Sequence, residues 1–192
     1  TIIFDKTGTL TIGKPSVTDL VSLTEIGEQE LLRLAAIAES GSEHPLAQAV
    51  IRKAKENGTP ITNPDSFQAV SGYGLKATYS NHTIMIGNRK MMEDNKIAVT
   101  ESIDVKLAIL EKEGKTAVLV AIDNTLSGII AISDTIKENA KDAIKALKSK
   151  GIEVIMLTGD NERTANAVAS KLGINKVIAE VLPHQKEEVV AK

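Results

Sequence analysis

The chain has 192 residues, with 23 Lys and Arg against 25 Asp and Glu, a net charge of −2 and 42% hydrophobic residues. This composition is typical of a folded globular protein and excludes a disordered or collagen-like chain. The absence of cysteine excludes a disulfide scaffold and a thiolate metal site, and the balanced charge does not indicate a nucleic-acid partner. The apolar runs are far shorter than the roughly 18 residues that cross a bilayer, so we expect no direct membrane contact from this chain.

The first predicted element is a short buried strand, Ile2 to Phe4, which ends at Asp5 in a cluster of Thr and Gly residues. Beyond Pro15 the pattern changes, and apolar residues recur at helical spacing. This spacing predicts two helices, one over Glu28 to Ser40 and one over Leu46 to Ala54.

The middle of the chain changes to β-forming residues between Gly and Asn turns. Phe67 to Tyr79 and Thr83 to Ile86 are predicted to form antiparallel strands. A helix through Ile103 and Leu110 follows, and a two-residue turn then joins strands over Ala117 to Ile122 and Ser127 to Ile132.

From Asp134 onward, helices and strands alternate regularly. We predict a helix on Ile136 to Leu147, a strand on Val154 to Leu157, a helix around Val168 and a strand on Val177 to Ala179. Strands separated by helices in this way form a parallel sheet with right-handed crossovers.

These patterns predict an α/β fold of two domains. A parallel-sheet domain is expected from residues 1–19 plus 123–192, and an inserted α+β domain with an antiparallel sheet from residues 20–122. The chain opens inside a strand at Thr1 without an initiator Met, and Lys186 to Lys192 is typical of a helix that has only begun. We therefore expect both ends to be cuts in a longer protein.

The residues after the first strand carry a chemical signal. Asp5 follows a strand of the parallel sheet, where the carboxyl ends of strands form ligand crevices. A carboxylate can accept a phosphoryl group, Lys6 adds positive charge, and Gly8 lets backbone N–H groups approach phosphate oxygens. The alternative for an isolated Asp-Lys pair is a polar turn.

The seven residues Asp5 to Thr11, DKTGTLT, resemble the phosphorylation signature of the P-type ATPases. The rest of the chain resembles the cytoplasmic catalytic core of the heavy-metal-transporting branch, and the copper-exporting type is expected. Further segments are similar to motifs of that branch: SEHP at 42–45, GYG at 72–74, GNR at 87–89, DTIK at 134–137, TGDN at 158–161 and PHQK at 183–186.

The resemblance implies a haloacid-dehalogenase-like, Rossmann-like parallel-sheet domain and an inserted nucleotide-binding domain. It implies that ATP phosphorylates Asp5 and that the aspartyl-phosphate drives ion transport by membrane helices outside this chain. The implied catalytic residues are Asp5, Lys6, Thr7, Thr158, Gly159, Asp160 and Lys186. The implied nucleotide-binding residues are Glu39, His44, Gly72, Gly74, Leu75, Gly87 and Asn88.

Each implied role has a physical basis. Glu39 and His44 would fix the adenine and orient the triphosphate. The TGD hydroxyl and amide donors would form an anion site at a helix N-terminus, and Lys186 would supply a fixed cation for phosphoryl transfer. Gly72 and Gly74 would let the nucleotide pass close to the backbone.

The resemblance also implies partners and a location. The partners would be ATP and ADP and, in the full protein, the actuator domain and transmembrane helices of the same chain, at the cytoplasmic face of a cell membrane. No transported-metal site is expected here, because Met85, Met91 and Met92 are interpreted as core residues. Asp134 and Lys137 are interpreted either as part of the family motif or as a structural i, i+3 pair.

The family's phosphorylation domain continues to a GDGxND segment that helps to bind Mg²⁺, and this segment is absent from the sequence. Asp5 and the Thr7 carbonyl remain as Mg²⁺ contacts. Because Mg²⁺ requires octahedral oxygen coordination, we expect weak Mg²⁺ binding and little self-phosphorylation.

Two other functions remain open. The first is a soluble haloacid-dehalogenase-type phosphatase, which resembles this chain in its fold and Asp nucleophile. Those enzymes carry a second Asp as general acid and base where this chain has Thr7, which favours a phosphoenzyme that persists. The second is a non-catalytic nucleotide-binding module, which phosphorylation of Asp5 would exclude.

Overall fold

The structure is a computed structural model that describes residues 1–182 and 185–187. In this part of the chain the strands are, in order, β1 (Ile2–Asp5), β2 (Ser16–Ser22), β3 (Ser66–Val70), β4 (Gly74–Tyr79), β5 (His82–Gly87), β6 (Thr116–Ile122), β7 (Thr125–Ser133), β8 (Val154–Leu157) and β9 (Lys176–Ile178). The helices are α1 (Gly27–Glu39), α2 (Pro45–Glu56), α3 (Arg89–Asp94), α4 (Glu101–Lys112), α5 (Ala140–Ser149) and α6 (Glu162–Leu172).

The chain divides into two compact units. The parallel unit comprises Thr1–Lys14, Ala108–Thr116 and the chain from Asp134 onward, and the antiparallel unit comprises Pro15–Leu107 and Ala117–Ser133. These limits differ from the sequence-based domains, since β7 lies in the antiparallel unit and Ala108–Thr116 in the parallel unit.

The parallel unit contains a three-stranded parallel sheet in the order β1-β8-β9. Its helices follow the apolar periodicity of the sequence. Asn161 caps the start of α6 by accepting a hydrogen bond from the Thr164 N–H, and Gly173, with φ of 74°, ends that helix. The core consists of Leu10, Ala140, Ile144, Val154, Met156, Ala165, Val168, Ala169, Leu172 and Ile174.

The antiparallel unit contains a six-stranded sheet in the order β2-β7-β6-β5-β4-β3. Helices α1 and α2 pack on each other, and α1 also contacts β2, β4 and β5. The apolar residues of α1 and α2 that recur at helical spacing supply much of the core, and they meet Leu75, Ala77, Ile84, Ile86, Val120, Ile130 and Ile132 of the sheet.

Three elements differ from the sequence-based expectation. Strand β2 and the short helix α3 were not predicted. Helix α5 begins at Ala140 rather than Ile136, because Ile136 forms an isolated antiparallel bridge with Thr11. The expected helix over Lys186 to Lys192 extends outside the described residues. Within the described residues, no helix is both long and apolar enough to cross a membrane.

Candidate active site

The carboxyl ends of two neighbouring strands bring the predicted catalytic residues together. Asp5, the last residue of β1, pairs in register with Leu157, the last residue of β8, so the loops that begin at Lys6 and Thr158 are adjacent. The Lys186 Nζ atom lies 2.8 Å from Asp5 Oδ1, and the two side chains are about one third exposed, at 34% and 41%. The structure thus brings together two residues that are 181 positions apart.

A second ion pair lies beside the first and is much more buried. The Lys6 ammonium group contacts Asp160 Oδ2, with only 9% and 13% of the two side chains exposed. The buried Thr158 hydroxyl donates to the same oxygen over 3.0 Å, and it accepts from the Asp160 N–H over 3.1 Å. Thr116 donates its hydroxyl to Asp160 Oδ1 over 3.0 Å. A buried charge pair needs such additional hydrogen bonds to offset its desolvation.

Thr7 and Gly159, the remaining predicted catalytic residues, are exposed. Thr7 is in the irregular turn Lys6–Leu10, where its φ of −75° and ψ of 124° are not helical. The next residue, Gly8, has φ of 77°, which a non-glycine residue adopts only with strain. Thr7 and Gly159 therefore belong to accessible loops at the carboxyl ends of β1 and β8.

Asp134 holds the loop that follows Asp5. Its Oδ2 atom accepts a hydrogen bond from the Thr11 hydroxyl over 2.6 Å, and its carboxylate also accepts from the Gly13 and Lys14 N–H groups over 3.1 to 3.2 Å. Lys137 donates to the Gly8 carbonyl over 2.9 Å. Asp134 and Lys137 thus both contact this loop, which is a different arrangement from the i, i+3 pair of the structural alternative.

Glu39 is the last residue of α1 and is only 8% exposed. Burial raises its pKa to about 7, because the ionised carboxylate loses hydration. The described part of the chain gives this carboxyl group no side-chain hydrogen bond or ion pair. The group is therefore buried without the partner that a carboxylate normally requires.

His44 lies just before α2, close in sequence to Glu39, and is exposed. Its Nδ1 atom accepts a hydrogen bond from the Leu46 N–H over 3.2 Å, so the ring caps the helix. Pro45 at the first helical position strengthens this start. This hydrogen bond makes Nδ1 of His44 an acceptor and fixes the orientation of the imidazole ring.

The other predicted nucleotide-binding residues lie where β4 and β5 meet. Gly74 pairs in register with Gly87, and a Cβ atom at Gly74 would lie 2.0 Å from the Ile86 carbonyl and 2.7 Å from the Met91 sulfur. A Cβ atom at Gly87 would lie 2.5 Å from that same sulfur. The chain's own packing therefore requires glycine at both positions, and the approach of a nucleotide to Gly74 stays a prediction.

Asn88 and Leu75 have structural contacts as well. Asn88 caps α3 by accepting from the Met91 N–H over 3.0 Å, and its side-chain amide donates to the Gly72 carbonyl over 3.2 Å. Leu75 is only 4% exposed and belongs to the core. The role of Leu75 in nucleotide binding stays a prediction, and its burial leaves little of its side chain accessible to a ligand.

The structure gathers the sequence-predicted site into two groups, one in each unit. Asp5, Lys6, Thr158, Asp160 and Lys186 are linked by direct contacts or by adjacent strand ends. Pro183 and His184 of the PHQK motif lie outside the described residues. The sequence motifs do not identify Thr11 and Thr116 as supports of the site, because their aspartate partners lie 123 and 44 residues away in the chain.

The family model of the haloacid dehalogenase-like hydrolases matches residues 1–192. The chain belongs to the haloacid dehalogenase-like hydrolases. The match covers both units, and the predicted fold class is confirmed.

Relatives within this family are larger proteins. The chain is 50% identical over its whole length to a copper-exporting P-type ATPase of Staphylococcus aureus strain MW2, and it covers 23% of that protein. Among solved structures, the catalytic domain of the CPx-ATPase CopB-B is 30% identical with a TM-score of 0.74, and the match covers 100% of this chain and 65% of that one.

A zinc-transporting PIB-type ATPase in its E2.Pi state is also similar. It is 39% identical with a TM-score of 0.67, and the match covers 98% of this chain and 30% of that one. The resemblance to heavy-metal-transporting P-type ATPases, inferred from the sequence motifs, is confirmed. This haloacid dehalogenase-like hydrolase spans about a quarter of the length of the curated relatives that it matches.

Proposed function

We propose that this chain is the ATP-binding and phosphorylation region of a P-type heavy-metal transporting ATPase, of the copper-exporting type. The observation that carries the proposal is Asp5 at the carboxyl end of β1, paired with Lys186 at 2.8 Å and lying beside the buried Lys6–Asp160 pair. The 50% identity to a copper-exporting P-type ATPase supports the choice of metal.

The proposed reaction is transfer of the γ-phosphoryl group of ATP to Asp5. A carboxylate oxygen of Asp5 forms a bond to the γ-phosphorus, the bond from that phosphorus to the β,γ-bridging oxygen breaks, and ADP leaves with the electron pair. Lys186 contacts Oδ1, and the described residues provide no partner for Oδ2, so Oδ2 is the attacking atom. Lys186 then offsets negative charge on the transferring group.

The buried group around Asp160 supports this reaction through electrostatics and position. Lys6 places a cation directly after the nucleophile, and Asp160 together with Thr158 holds that cation in place. Phosphoryl transfer depends mainly on positioning and charge stabilisation, so a fixed cation is worth more here than a mobile one.

The nucleotide would bind to the antiparallel unit at Glu39 and His44, near Gly72, Gly74, Gly87 and Asn88. Ionised Glu39 accepts hydrogen bonds only, and adenine presents an amino donor where guanine presents a carbonyl acceptor. Glu39 therefore favours ATP over GTP. Because the pKa of Glu39 is about 7, we expect ATP affinity to rise as the pH rises from 6 to 8.

The implied Mg²⁺ ion would meet the Asp5 carboxylate and the Thr7 carbonyl. These oxygen atoms are of the type that Mg²⁺ prefers, but the described residues contain no group of three or more acidic or His side chains that could hold a metal ion. Asp160 is engaged by Lys6. The residues present therefore do not form a full Mg²⁺ site, and we propose weak Mg²⁺ binding by this chain alone.

The remaining partners and the location follow from the same proposal. The actuator domain and transmembrane helices would belong to the same longer protein, and the chain would lie at the cytoplasmic face of a cell membrane. The phosphatase alternative is disfavoured because Thr7 lacks the carboxyl group that such enzymes use as general acid and base.

Two measurements test the proposal. Calorimetric titration of the chain with ATP and GTP, with circular dichroism to confirm folding, should give binding that prefers ATP and is lost in Glu39→Ala/His44→Ala. Asp65→Asn, an exposed change elsewhere in the antiparallel unit, is the matched control and should bind normally. Absence of ATP binding by a folded chain would refute the nucleotide-site proposal.

The second measurement follows phosphorylation from radiolabelled ATP. Because this chain alone is expected to label poorly, the segment is grafted in place of the matching segment of the Staphylococcus aureus copper-exporting P-type ATPase. We expect an acid-stable, hydroxylamine-sensitive label that disappears in Asp5→Asn. A label that remains in Asp5→Asn, or a folded graft that never labels, would contradict the assignment.

A further inference from the structure

The segment of residues 111–115 comprises the end of α4 and the loop that leads to β6, and no motif noted in the sequence includes it. It nevertheless packs along α6 in the parallel unit. Glu111, only 1% exposed, forms an ion pair with Arg163 at 3.3 Å, and Lys171 donates to the Glu113 carbonyl over 2.6 Å. The fully buried Thr164 hydroxyl donates to the Lys115 carbonyl over 2.8 Å. Three polar contacts from one helix thus fix this segment.

The next residue, Thr116, extends these contacts to the candidate active site. Its hydroxyl donates to Asp160 Oδ1 over 3.0 Å. The other oxygen, Oδ2, is held by the Thr158 hydroxyl at 3.0 Å and by the Lys6 ammonium group. The Asp160 carboxylate is therefore held on both of its oxygens, and among the described residues Thr116 is the hydrogen-bond donor to Oδ1.

We propose that Thr116 is a positioning residue for phosphoryl transfer, which fixes the Asp160 carboxylate so that Asp160 in turn holds Lys6 beside Asp5. This inference rests on the proposed function. A carboxylate held by a single oxygen can rotate about its terminal torsion, which has broad minima. The hydrogen bond from Thr116 opposes this rotation, and hydrogen bonds to charged groups are stronger than neutral ones.

The first test measures the rate of phosphorylation in the grafted protein. Thr116→Val removes the hydroxyl and keeps the shape of the side chain. We expect the rate of phosphoenzyme formation at saturating ATP to fall about tenfold, while the ATP concentration for half-maximal rate changes less than about twofold. Thr116→Ser, which keeps the hydroxyl, should restore the rate to within about twofold of the unsubstituted protein.

The matched control is Thr18→Val. Thr18 also donates its hydroxyl to an aspartate, Asp19, over 2.6 Å, but it lies on β2 in the antiparallel unit. This variant should phosphorylate at the normal rate. Thermal melting of every variant separates a loss of positioning from a loss of folding, and Thr116→Ala serves as a second hydroxyl deletion if Thr116→Val does not melt cooperatively.

The second test does not depend on activity. Nitrogen-15 NMR of this chain, with the Lys6 ammonium signal assigned through Lys6→Arg, reports how fast that buried group exchanges its protons with water. We expect exchange to be about fivefold faster in Thr116→Val than in the unsubstituted chain, and to return to the original rate in Thr116→Ser, because Asp160 holds Lys6 less firmly without the Thr116 hydroxyl.

The two tests separate the two possible failures. If the unsubstituted graft forms no label at Asp5, the proposed function fails, and the NMR measurement still decides whether Thr116 positions Asp160 and Lys6. If the graft labels normally but Thr116→Val changes neither the phosphorylation rate nor the Lys6 exchange rate, the positioning role of Thr116 is overturned. A rate loss that Thr116→Ser does not restore would also overturn it.

Discussion

Lys6 in the parallel unit and Glu39 in the antiparallel unit are buried to nearly the same degree, at 7% and 8% exposed, yet their surroundings differ. Lys6 lies against Asp160, which also receives the hydroxyl groups of Thr158 and Thr116. Glu39 has no comparable partner among the described residues, and burial raises its pKa to about 7.

This difference indicates how the two groups of residues work. An ion pair with all its hydrogen bonds in place needs no ligand, so the parallel unit holds its charges in position before any phosphoryl group arrives. A buried carboxyl group without a partner carries a desolvation cost that a ligand donor can offset. The structure therefore contains one preassembled charge cluster and one buried acid whose hydrogen-bonding capacity remains available.

The largest effect is expected for Lys6→Met, which removes the partner of a buried carboxylate. This change leaves the Asp160 carboxylate buried with hydroxyl donors alone, and we expect it to lower the free energy of unfolding by about 3–5 kcal/mol. Denaturant unfolding measures the loss. Lys186→Met is the matched control, because the Lys186–Asp5 pair is about one third exposed and should contribute no more than about 1 kcal/mol. Equal losses in the two variants would contradict the comparison.

The reverse effect is expected for Glu39→Gln. The folded-state pKa of about 7 lies above the reference value of 4.5, so the folded chain keeps a proton that the unfolded chain releases between these values. The stability contributed by this group is complete below pH 4.5 and is lost as the pH rises to about 7. Glu39→Gln should remove this dependence and raise the unfolding free energy at pH 8 by about 1–3 kcal/mol.

Unfolding curves at pH 5, 6, 7 and 8 measure this effect. Glu28→Gln, an exposed change in the first turn of the same helix, is the control and should keep the pH dependence of the original chain. A Glu39→Gln variant whose stability falls with pH as steeply as that of the original chain would show that the buried carboxyl group is not the cause.

Asp134→Asn tests a second acidic residue, whose carboxylate already has hydrogen-bond partners within the chain. The Asp134 carboxylate accepts hydrogen bonds from Thr11, Gly13 and Lys14, and an amide can present only one oxygen to these donors. We expect a loss of about 2 kcal/mol in chemical unfolding. Asp65→Asn changes an exposed acid with one backbone partner, Ser80, and should lose less than about 1 kcal/mol.

The smallest effect is expected at the helix caps. His44→Ala and Asn161→Ala each remove one capping side chain, from α2 and α6 respectively, and each should cost about 1 kcal/mol in thermal or chemical unfolding. Under the proposed function only His44→Ala should also weaken ATP binding in calorimetry. Equal ATP affinities in the two variants would remove His44 from the nucleotide site and leave it as a cap.

Local patterns were sufficient to predict most of the elements. The apolar spacing in α1, α2 and α6 and the Gly and Asn turns between the strands are signals that act within about ten residues. Strand β2 was missed because its sequence, SVTDLVS, does not alternate, and it is a strand because it pairs with β7, more than 100 residues away. Ile136 was placed in a helix because its spacing fits one, but its bridge to Thr11 prevents this.

The candidate site was predicted as sets of motifs. The sequence identified Asp5, Lys186 and the TGD residues by resemblance, but it did not identify which lysine would form an ion pair with which aspartate. It also assigned the glycines Gly74 and Gly87 to nucleotide binding, which stays a prediction, but it did not identify the Met91 sulfur that the structure places beside both positions. A close approach of two segments is a property of packing and has no signature in either segment alone.

The composition class, most helices and strands, the parallel and antiparallel organisation and the motifs that indicate phosphoryl chemistry could therefore be read from the amino-acid sequence alone. The folded structure was needed to show that Lys6 pairs with Asp160 and Lys186 with Asp5, that Thr116 donates a hydrogen bond to Asp160, and that Glu39 is buried with its pKa raised to about 7. The physical reason is that secondary structure follows from nearby residues, whereas desolvation and charge pairing depend on groups that are distant in the chain.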